Sequence, residues 1–198
     1  MKTVTIKQGC ICGRDIAGNK TTKFLCGHCN ILYDPKMIGL FIGRFQPFHK
    51  GHLEVVKRAL KEVDHLMIVV AVPLRKTKKD PFSAQERKEM IERTLAGHGV
   101  KGFSIHTVND IPNDDGYVGH VRQLVPNFNV VYTGDNELNR RLFTEAGFTV
   151  IPSERFFGIS STKVREDMQD KGAGWKKMVP DEVVEYIEKK GLGKKVER

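Results

Sequence analysis

From residue 37 onward, short β-branched and aliphatic runs alternate with stretches in which apolar residues recur every three or four positions. The apolar runs fall at 38–42, 66–72, 103–108, 130–132 and 149–151, lengths that suit buried strands. Between them, Leu53, Val56, Leu60 and Val63 share one face of a helix. Met90, Ile91, Thr94 and Leu95 do the same, after a Ser83 start with Glu86 at the capping-box distance. Further helical spacing covers 118–124, 138–146, 162–168 and 182–189. Strand and helix thus alternate about five times, which predicts an α/β fold: a Rossmann-like doubly wound parallel sheet with helices on both faces. In such sheets ligands sit at the carboxyl ends of the strands, near the topological switch point.

Ahead of this pattern the sequence is short, polar and punctuated by glycine. The seam falls at Tyr33-Asp34-Pro35-Lys36-Met37, separating a small module (1–36) from a main domain (37–198). All four cysteines lie in the small module, as Cys10-X-Cys12, thirteen residues, then Cys26-X-X-Cys29. Two close thiolate pairs, each beside glycine, are the pattern of a structural tetrahedral Zn²⁺ site. The segment resembles a zinc ribbon, with one departure: only Ile11 separates the first pair, and His28 is a competing ligand. Four free thiols are the other reading, but so short a segment has little apolar surface with which to fold unaided.

Composition narrows the setting. Of 198 residues, 39% are hydrophobic and 29% charged, ordinary values for a globular domain. No apolar stretch approaches membrane-spanning length and MKTVTIKQGC has no signal-peptide core, so a cytoplasmic protein without a membrane partner is expected. The net charge of +9 points to an anionic partner, either nucleic acid or phosphorylated small molecules. Lysines in the small module favour an anion, yet no aromatic row there suggests base stacking. Nucleic acid is therefore not the favoured partner, and the module is expected to be an accessory without a part in the chemistry.

The densest chemistry sits in GRFQPFHKGH, residues 43–52, where the first strand hands over to the first helix. Gly43 permits a turn off the strand, and Gly51 lets backbone approach a ligand where helix N–H groups favour anions. His49 and His52 can face one phosphate, with Arg44 adding a permanent charge. A second segment, GISSTKVREDM (158–168), offers Ser160, Ser161 and Thr162 at a helix start and Arg165 one turn in. Taken alone, each segment also reads as a capped helix with a surface arginine.

Together they resemble a known family. GRFQPFHKGH resembles the HxGH signature of the nucleotidyltransferase superfamily, and in full it is similar to archaeal nicotinamide-mononucleotide adenylyltransferases. GISSTKVR resembles the ISSTxxR motif, whose serine, threonine and arginine hold ATP phosphates. KDPFSAQER (79–87) is similar to the family's NPFTxxER segment, where Lys79 takes the place of a basic residue aimed at the triphosphate. Arg87 is expected to brace its helix. The resemblance covers nearly everything from Met37 on. It implies ATP binding by Gly43, Arg44, Phe45, His49, Gly51, His52, Lys79, Ser160, Ser161, Thr162 and Arg165, with His49, His52, Arg44 and Arg165 carrying catalysis. It further implies Mg²⁺ bridging the phosphates and a homo-oligomer.

The implied reaction transfers AMP from ATP to the 5′-phosphate of nicotinamide mononucleotide (NMN), giving NAD and pyrophosphate. The acceptor side departs from the family pattern. In DIPNDDGYVGHV (110–121), Tyr117 stands where relatives stack a tryptophan on the nicotinamide, and Asp114 where they read its carboxamide with asparagine. YTGDN (132–136) replaces the usual YSGNP. The expected acceptor residues are Asp114, Tyr117, Val118, Gly134 and Asp135. Two alternatives stay open: another phosphorylated acceptor, or a zinc-ribbon nucleic-acid-binding protein with a non-catalytic nucleotide-binding domain.

Overall fold

The computed structural model describes residues 6–9, 15–18, 24–25, 32–33, 36–125, 127–134, 136–153 and 156–196. The chain divides into two compact units, Met1–Met37 and Ile38–Arg198. In the first, β1 (Ile6–Gly9) pairs antiparallel with β2 (Asp15–Gly18), and β3 (Phe24–Leu25) with β4 (Leu32–Tyr33). Cys10, Cys12, Cys26 and Cys29 lie outside the described residues, as does Asp135 of the expected acceptor set.

The second unit runs β5 (Ile38–Gly43), α1 (Lys50–Ala59), β6 (His65–Val72), α2 (Ala84–Gly97), β7 (Phe103–Asn109), α3 (Tyr117–Leu124), β8 (Val130–Thr133), α4 (Glu137–Glu145) and β9 (Thr149–Pro152). Three helices follow, α5 (Ser161–Gln169), α6 (Trp175–Met178) and α7 (Asp181–Lys189). The strands form one parallel sheet in the order β7-β6-β5-β8-β9. The order reverses between β5 and β8, so the switch point lies where Gly43 and Thr133 leave the sheet.

Strand periodicity sorts the core onto two faces. Leu40, Ile42, Val69 and Val131 pack with Val118 and Val121 of α3 and Leu142 and Phe143 of α4. The intervening Phe41, Ile68 and Val70 are buried on the opposite face, where α2 packs against β6 and the His52 ring of α1 meets Phe41. The doubly wound arrangement expected from the alternation is present. Among the described residues no helix is long and apolar enough to cross a membrane.

Two elements depart from the sequence pattern for local reasons. Helix α1 begins at Lys50, three residues before the first apolar position at Leu53, because His49 caps it. The short α6 was not anticipated; Gly174 precedes it without a side-chain cap, and Asp167 of α5 accepts from the Trp175 N–H at 2.7 Å. Helix α2, by contrast, starts as its sequence predicts. Ser83 Oγ accepts from Glu86 N–H at 3.2 Å while the Glu86 carboxylate accepts from Ser83 N–H at 2.8 Å.

One turn into α2, Arg87 is 1% exposed. Its Nη1 donates to the Arg44 carbonyl at 2.6 Å and the Ala71 carbonyl at 2.8 Å, and its Nε to the Ser83 carbonyl at 3.2 Å. It thereby ties the ends of β5 and β6 to the helix start. Burial pushes its guanidinium down to about 10, opposed by Asp80, so it remains charged at neutral pH. Arg87→Met keeps the volume but strands two carbonyls. The cost is about 2–4 kcal/mol, which corresponds to a thermal midpoint lower by roughly 5–15 °C. Differential scanning calorimetry checks this; an unchanged midpoint would show the brace to be dispensable.

Candidate active site

The loop from Arg44 to His49 belongs to no helix or strand, so its backbone carbonyls need partners from elsewhere. Three side chains supply them. Arg87 donates to the Arg44 carbonyl, Arg165 Nη1 to that of Gln46 at 2.7 Å, and Ser161 Oγ to that of Pro47 at 3.1 Å. The buried Gln46 side chain pairs with the Phe82 backbone in both directions, at 2.9 and 3.0 Å. The motif at 158–168 is thus bonded directly to the motif at 43–52, from which it is more than a hundred residues away. Arg165 also donates to Thr162 Oγ1 at 3.3 Å, and Ser160 caps α5 by accepting from Lys163 N–H.

At the end of this loop the two histidines cap each other. His49 Nδ1 accepts from His52 N–H at 3.3 Å, and His52 Nδ1 accepts from His49 N–H at 3.2 Å. Their rings stack at 3.5 Å. Because each Nδ1 accepts, each ring carries its proton on Nε2, which makes both of them Nε2–H donors. Phe45, Phe48 and Phe41 surround His52 at 4.9, 5.4 and 6.2 Å. Burial, with His49 beside it, holds the His52 imidazole well below its usual range. His52 is therefore a neutral donor at physiological pH. Gly51 sits under the pair: a Cβ there would lie 3.0 Å from the His49 ring and 3.5 Å from the Phe156 carbonyl.

Two concavities open beside this loop. The first, about 160 Å³, is lined by His49, Gly51, His52, Gly134, Ser160 and Ser161, and by Ser153 and Phe156. Both motifs therefore face one cleft. The second, about 360 Å³, is lined by Gly43, Arg44, Asp110, Asp114 and Tyr117, and by Asn136, Leu138, Asn139 and Leu142 around α4. The loop after β5 and the residues after β8 contribute to both.

Several expected residues stand elsewhere than the sequence implied. Arg44, half exposed, lines the larger cavity and not the histidine cleft; its guanidinium is paired with Asp80 and Asp110 at 3.3 Å each. Arg165 is buried and bonded to the loop. Phe45 is packed inside, with a positive φ of 49°, its ring where a Gly43 Cβ would collide. Val118 is in the core under α3 and does not line the cavity. Gly134 belongs to the histidine cleft and not to the cavity of Tyr117. Lys79 is exposed on its loop and lines neither concavity. Tyr117 is 7% exposed and belongs to the core while still walling the cavity; burial and the nearby Asp110 push its phenol up to about 12. Asp114 is exposed at the rim.

Other residues escaped the sequence reading. Asp80 is buried, receiving Arg44 and, at 2.7 Å, Thr77 Oγ1. Asp110, whose carboxyl is pushed up by burial against the pull of Arg44, completes the clamp on that arginine. Nothing in local sequence pairs residues 44, 80 and 110; only the parallel register brings three strand ends to one edge. Thr133 Oγ1, buried at the end of β8, has no hydrogen-bond partner among the described residues.

Residues 40–167 match the profile of the cytidylyltransferase-like family, and the chain belongs to that family. Among its relatives, the nicotinamide-nucleotide adenylyltransferase of Methanococcus maripaludis is 43% identical over 155 residues, covering 77% of this chain and 89% of the relative. That of Thermoplasma volcanium is 44% identical over 149 residues, 74% of this chain and 83% of the relative. A solved bifunctional NMN adenylyltransferase/ADP ribose pyrophosphatase from Francisella tularensis, complexed with AMP and a manganese ion, shares the fold with a TM-score of 0.62 at 24% identity. It covers 82% of this chain, which spans about half (52%) of that longer one.

The neutrality of His52 has a signature in folding. An unfolded imidazole protonates near pH 6.5, so below that pH the unfolded chain binds a proton that the folded site resists. Stability is full above pH 6.5 and is lost as pH falls toward the depressed folded value. Urea unfolding should therefore give a lower free energy at pH 5 than at pH 7. His52→Asn, which retains an acceptor for His49 N–H, should flatten that slope. His106, also lowered by burial, leaves a residual slope of the same sign. An identical pH profile in the variant would refute the assignment.

Proposed function

We propose that the chain transfers AMP from ATP to the 5′-phosphate of NMN, yielding NAD and pyrophosphate. The observation that carries this reading is the pair of concavities walled by the same two switch-point loops, one holding both phosphate motifs and the other a tyrosine wall with polar groups. The nicotinamide-nucleotide adenylyltransferases to which the chain is over 40% identical favour NMN as the acceptor.

In the proposed reaction an oxygen of the acceptor phosphate bonds to the α-phosphorus of ATP. The bond from that phosphorus to the bridging oxygen breaks, and pyrophosphate leaves with the electron pair. The attacking phosphate is ionised at neutral pH, so alignment and stabilisation of developing charge carry the catalysis. His49 and His52 donate Nε2–H to phosphate oxygens. Ser160, Ser161 and the N–H groups opening α5 face the same oxygens, where a helix start favours anions, and Gly51 leaves room for them. Phe45 holds the His52 ring, Arg165 holds the two motifs together, and Thr162 anchors Arg165. Arg44 swings between its carboxylate partners and substrate phosphate, and Lys79 reaches the triphosphate from its exposed loop.

A divalent cation such as Mg²⁺, when bound, neutralises charge on the phosphates. The described residues contain no group of three His, Cys, Asp or Glu fit to hold one, and Asp80 and Asp110 are occupied by Arg44. Phosphate oxygens and water are therefore its proposed ligands.

Tyr117 forms the wall against the nicotinamide ring, and Asp114 closes the acceptor side. A second reading, another phosphorylated acceptor, rests on Asp114 and Tyr117 replacing the family's asparagine and tryptophan. For the small module we propose one structural Zn²⁺ on Cys10, Cys12, Cys26 and Cys29. Cys10 and Cys12 fall in the connection between β1 and β2, and Cys26 and Cys29 in that between β3 and β4, which is the layout of two metal-clasping hairpins. A homo-oligomer and a cytoplasmic setting are proposed on family resemblance.

The deciding assay is pyrophosphate release from ATP and Mg²⁺ with NMN, nicotinic acid mononucleotide, FMN or phosphopantetheine as acceptor. NMN should be used, and His52→Ala should lower kcat by about 10²–10³-fold, the loss typical of one preorganised donor. Turnover with another acceptor alone would replace NMN; silence with all four would overturn the reaction.

A further inference from the structure

The larger cavity contains a polar group that neither motif claims. Asn139 sits in the first turn of α4, where its backbone N–H donates to the capping Asn136 Oδ1 at 3.2 Å. The residue is 7% exposed, and it lines the cavity together with Tyr117, Ile111 and Leu142. Among the described residues its side-chain amide has no hydrogen-bond partner; the amide is not sealed from solvent, and the residue lines the cavity. A nearly buried residue whose amide is left unpaired at a cavity wall is placed to bond what fills that cavity. The cap and the helix fix the backbone from which this side chain projects.

On the proposed reaction, we infer that Asn139 is the residue that recognises the acceptor's carboxamide. A primary carboxamide offers one acceptor oxygen and an N–H donor side by side, and an asparagine side chain offers the complement: Nδ2–H donates to the carboxamide oxygen while Oδ1 accepts from its N–H. The apolar wall of Tyr117, Ile111 and Leu142 suits the flat ring to which that carboxamide is attached. This placement also accounts for Asp114. Where relatives read the amide from the loop before α3, here the loop carries a carboxylate, and the amide comes from α4. A carboxylate in place of the carboxamide brings two acceptors and no donor. It would leave Oδ1 facing an oxygen; Arg44 and Arg75 line the cavity beside Asp110 and Asp114, so the selection of amide over acid rests on the bonding of Asn139 and not on repulsion.

The test compares NMN with nicotinic acid mononucleotide in wild type, Asn139→Ala and Asn139→Asp. The ratio of kcat/KM for amide over acid should fall by about 10–100-fold in Asn139→Ala, through the NMN value. The ATP KM should stay within about twofold, because the smaller cleft is untouched. Asn139→Asp keeps the shape, loses the donor and should lose NMN at least as severely. Calorimetric titration of NMN without ATP should show the same loss in affinity. Circular dichroism melting controls for folding, and the variants should melt within a few degrees of wild type because the amide supports no bond inside the protein. An unchanged amide-to-acid ratio and unchanged NMN affinity in folded Asn139→Ala would overturn the assignment while leaving the proposed reaction standing. A wild-type protein that releases pyrophosphate with other acceptors but not with NMN would overturn the reaction, and this assignment with it.

Discussion

The stretch from Arg44 to His49 must cross the carboxyl edge of the sheet with no ladder or helix to satisfy its backbone, and the site depends on how that is solved. Its carbonyls at Arg44, Gln46 and Pro47 are taken by Arg87, Arg165 and Ser161. Two of these come from α5 and one from α2, so satisfying a short loop draws distant helices onto it. An unpartnered buried carbonyl costs more than a typical hydrogen bond gains, which gives these three side chains their leverage. The second phosphate motif faces the first because its own residues are the first loop's hydrogen-bond donors.

The same loop decides the state of the histidines. Each imidazole spends its Nδ1 on the other's backbone N–H, which leaves two parallel Nε2–H donors at the cleft. Packing against Phe41, Phe45 and Phe48 keeps His52 neutral. A neutral donor fixed by its neighbours needs no reorganisation as charge builds on a phosphate. Permanent positive charge is supplied from a different place, by Arg44 in the adjoining cavity, held between Asp80 and Asp110. Donor and cation are thus divided between the two concavities.

The larger cavity shows the fold's economy in another way. Tyr117 serves both the core under α3 and the cavity wall, which is why it is so nearly buried while still lining the space. Val118, next in sequence, turns wholly inward. One helix start therefore supplies a core residue and a cavity wall from adjacent positions, and α4 adds amides to the same lining.

Much of this was legible in the chain itself. The strand runs and helical spacing determined the parallel α/β sheet, because buried parallel strands read as continuous apolar runs and their covering helices as amphipathic ones. The density of glycine, histidine and arginine at 43–52, and of hydroxyl residues at 160–162, located the cleft, since helix starts carry their signals locally. Tertiary structure alone decided which of those residues touch. Whether Arg165 faces a ligand or a carbonyl and whether Gly134 belongs to one cavity or the other depend on contacts between residues roughly 80 to 120 positions apart, while the neutrality of His52 depends on how its near neighbours are buried around it. Asp80, Asp110 and Asn139 lack any local pattern, because only the strand order that sets β5 between β6 and β8 brings their loops to one edge. A sequence spells out local geometry; burial and partnership are fixed when the sheet closes around the switch point.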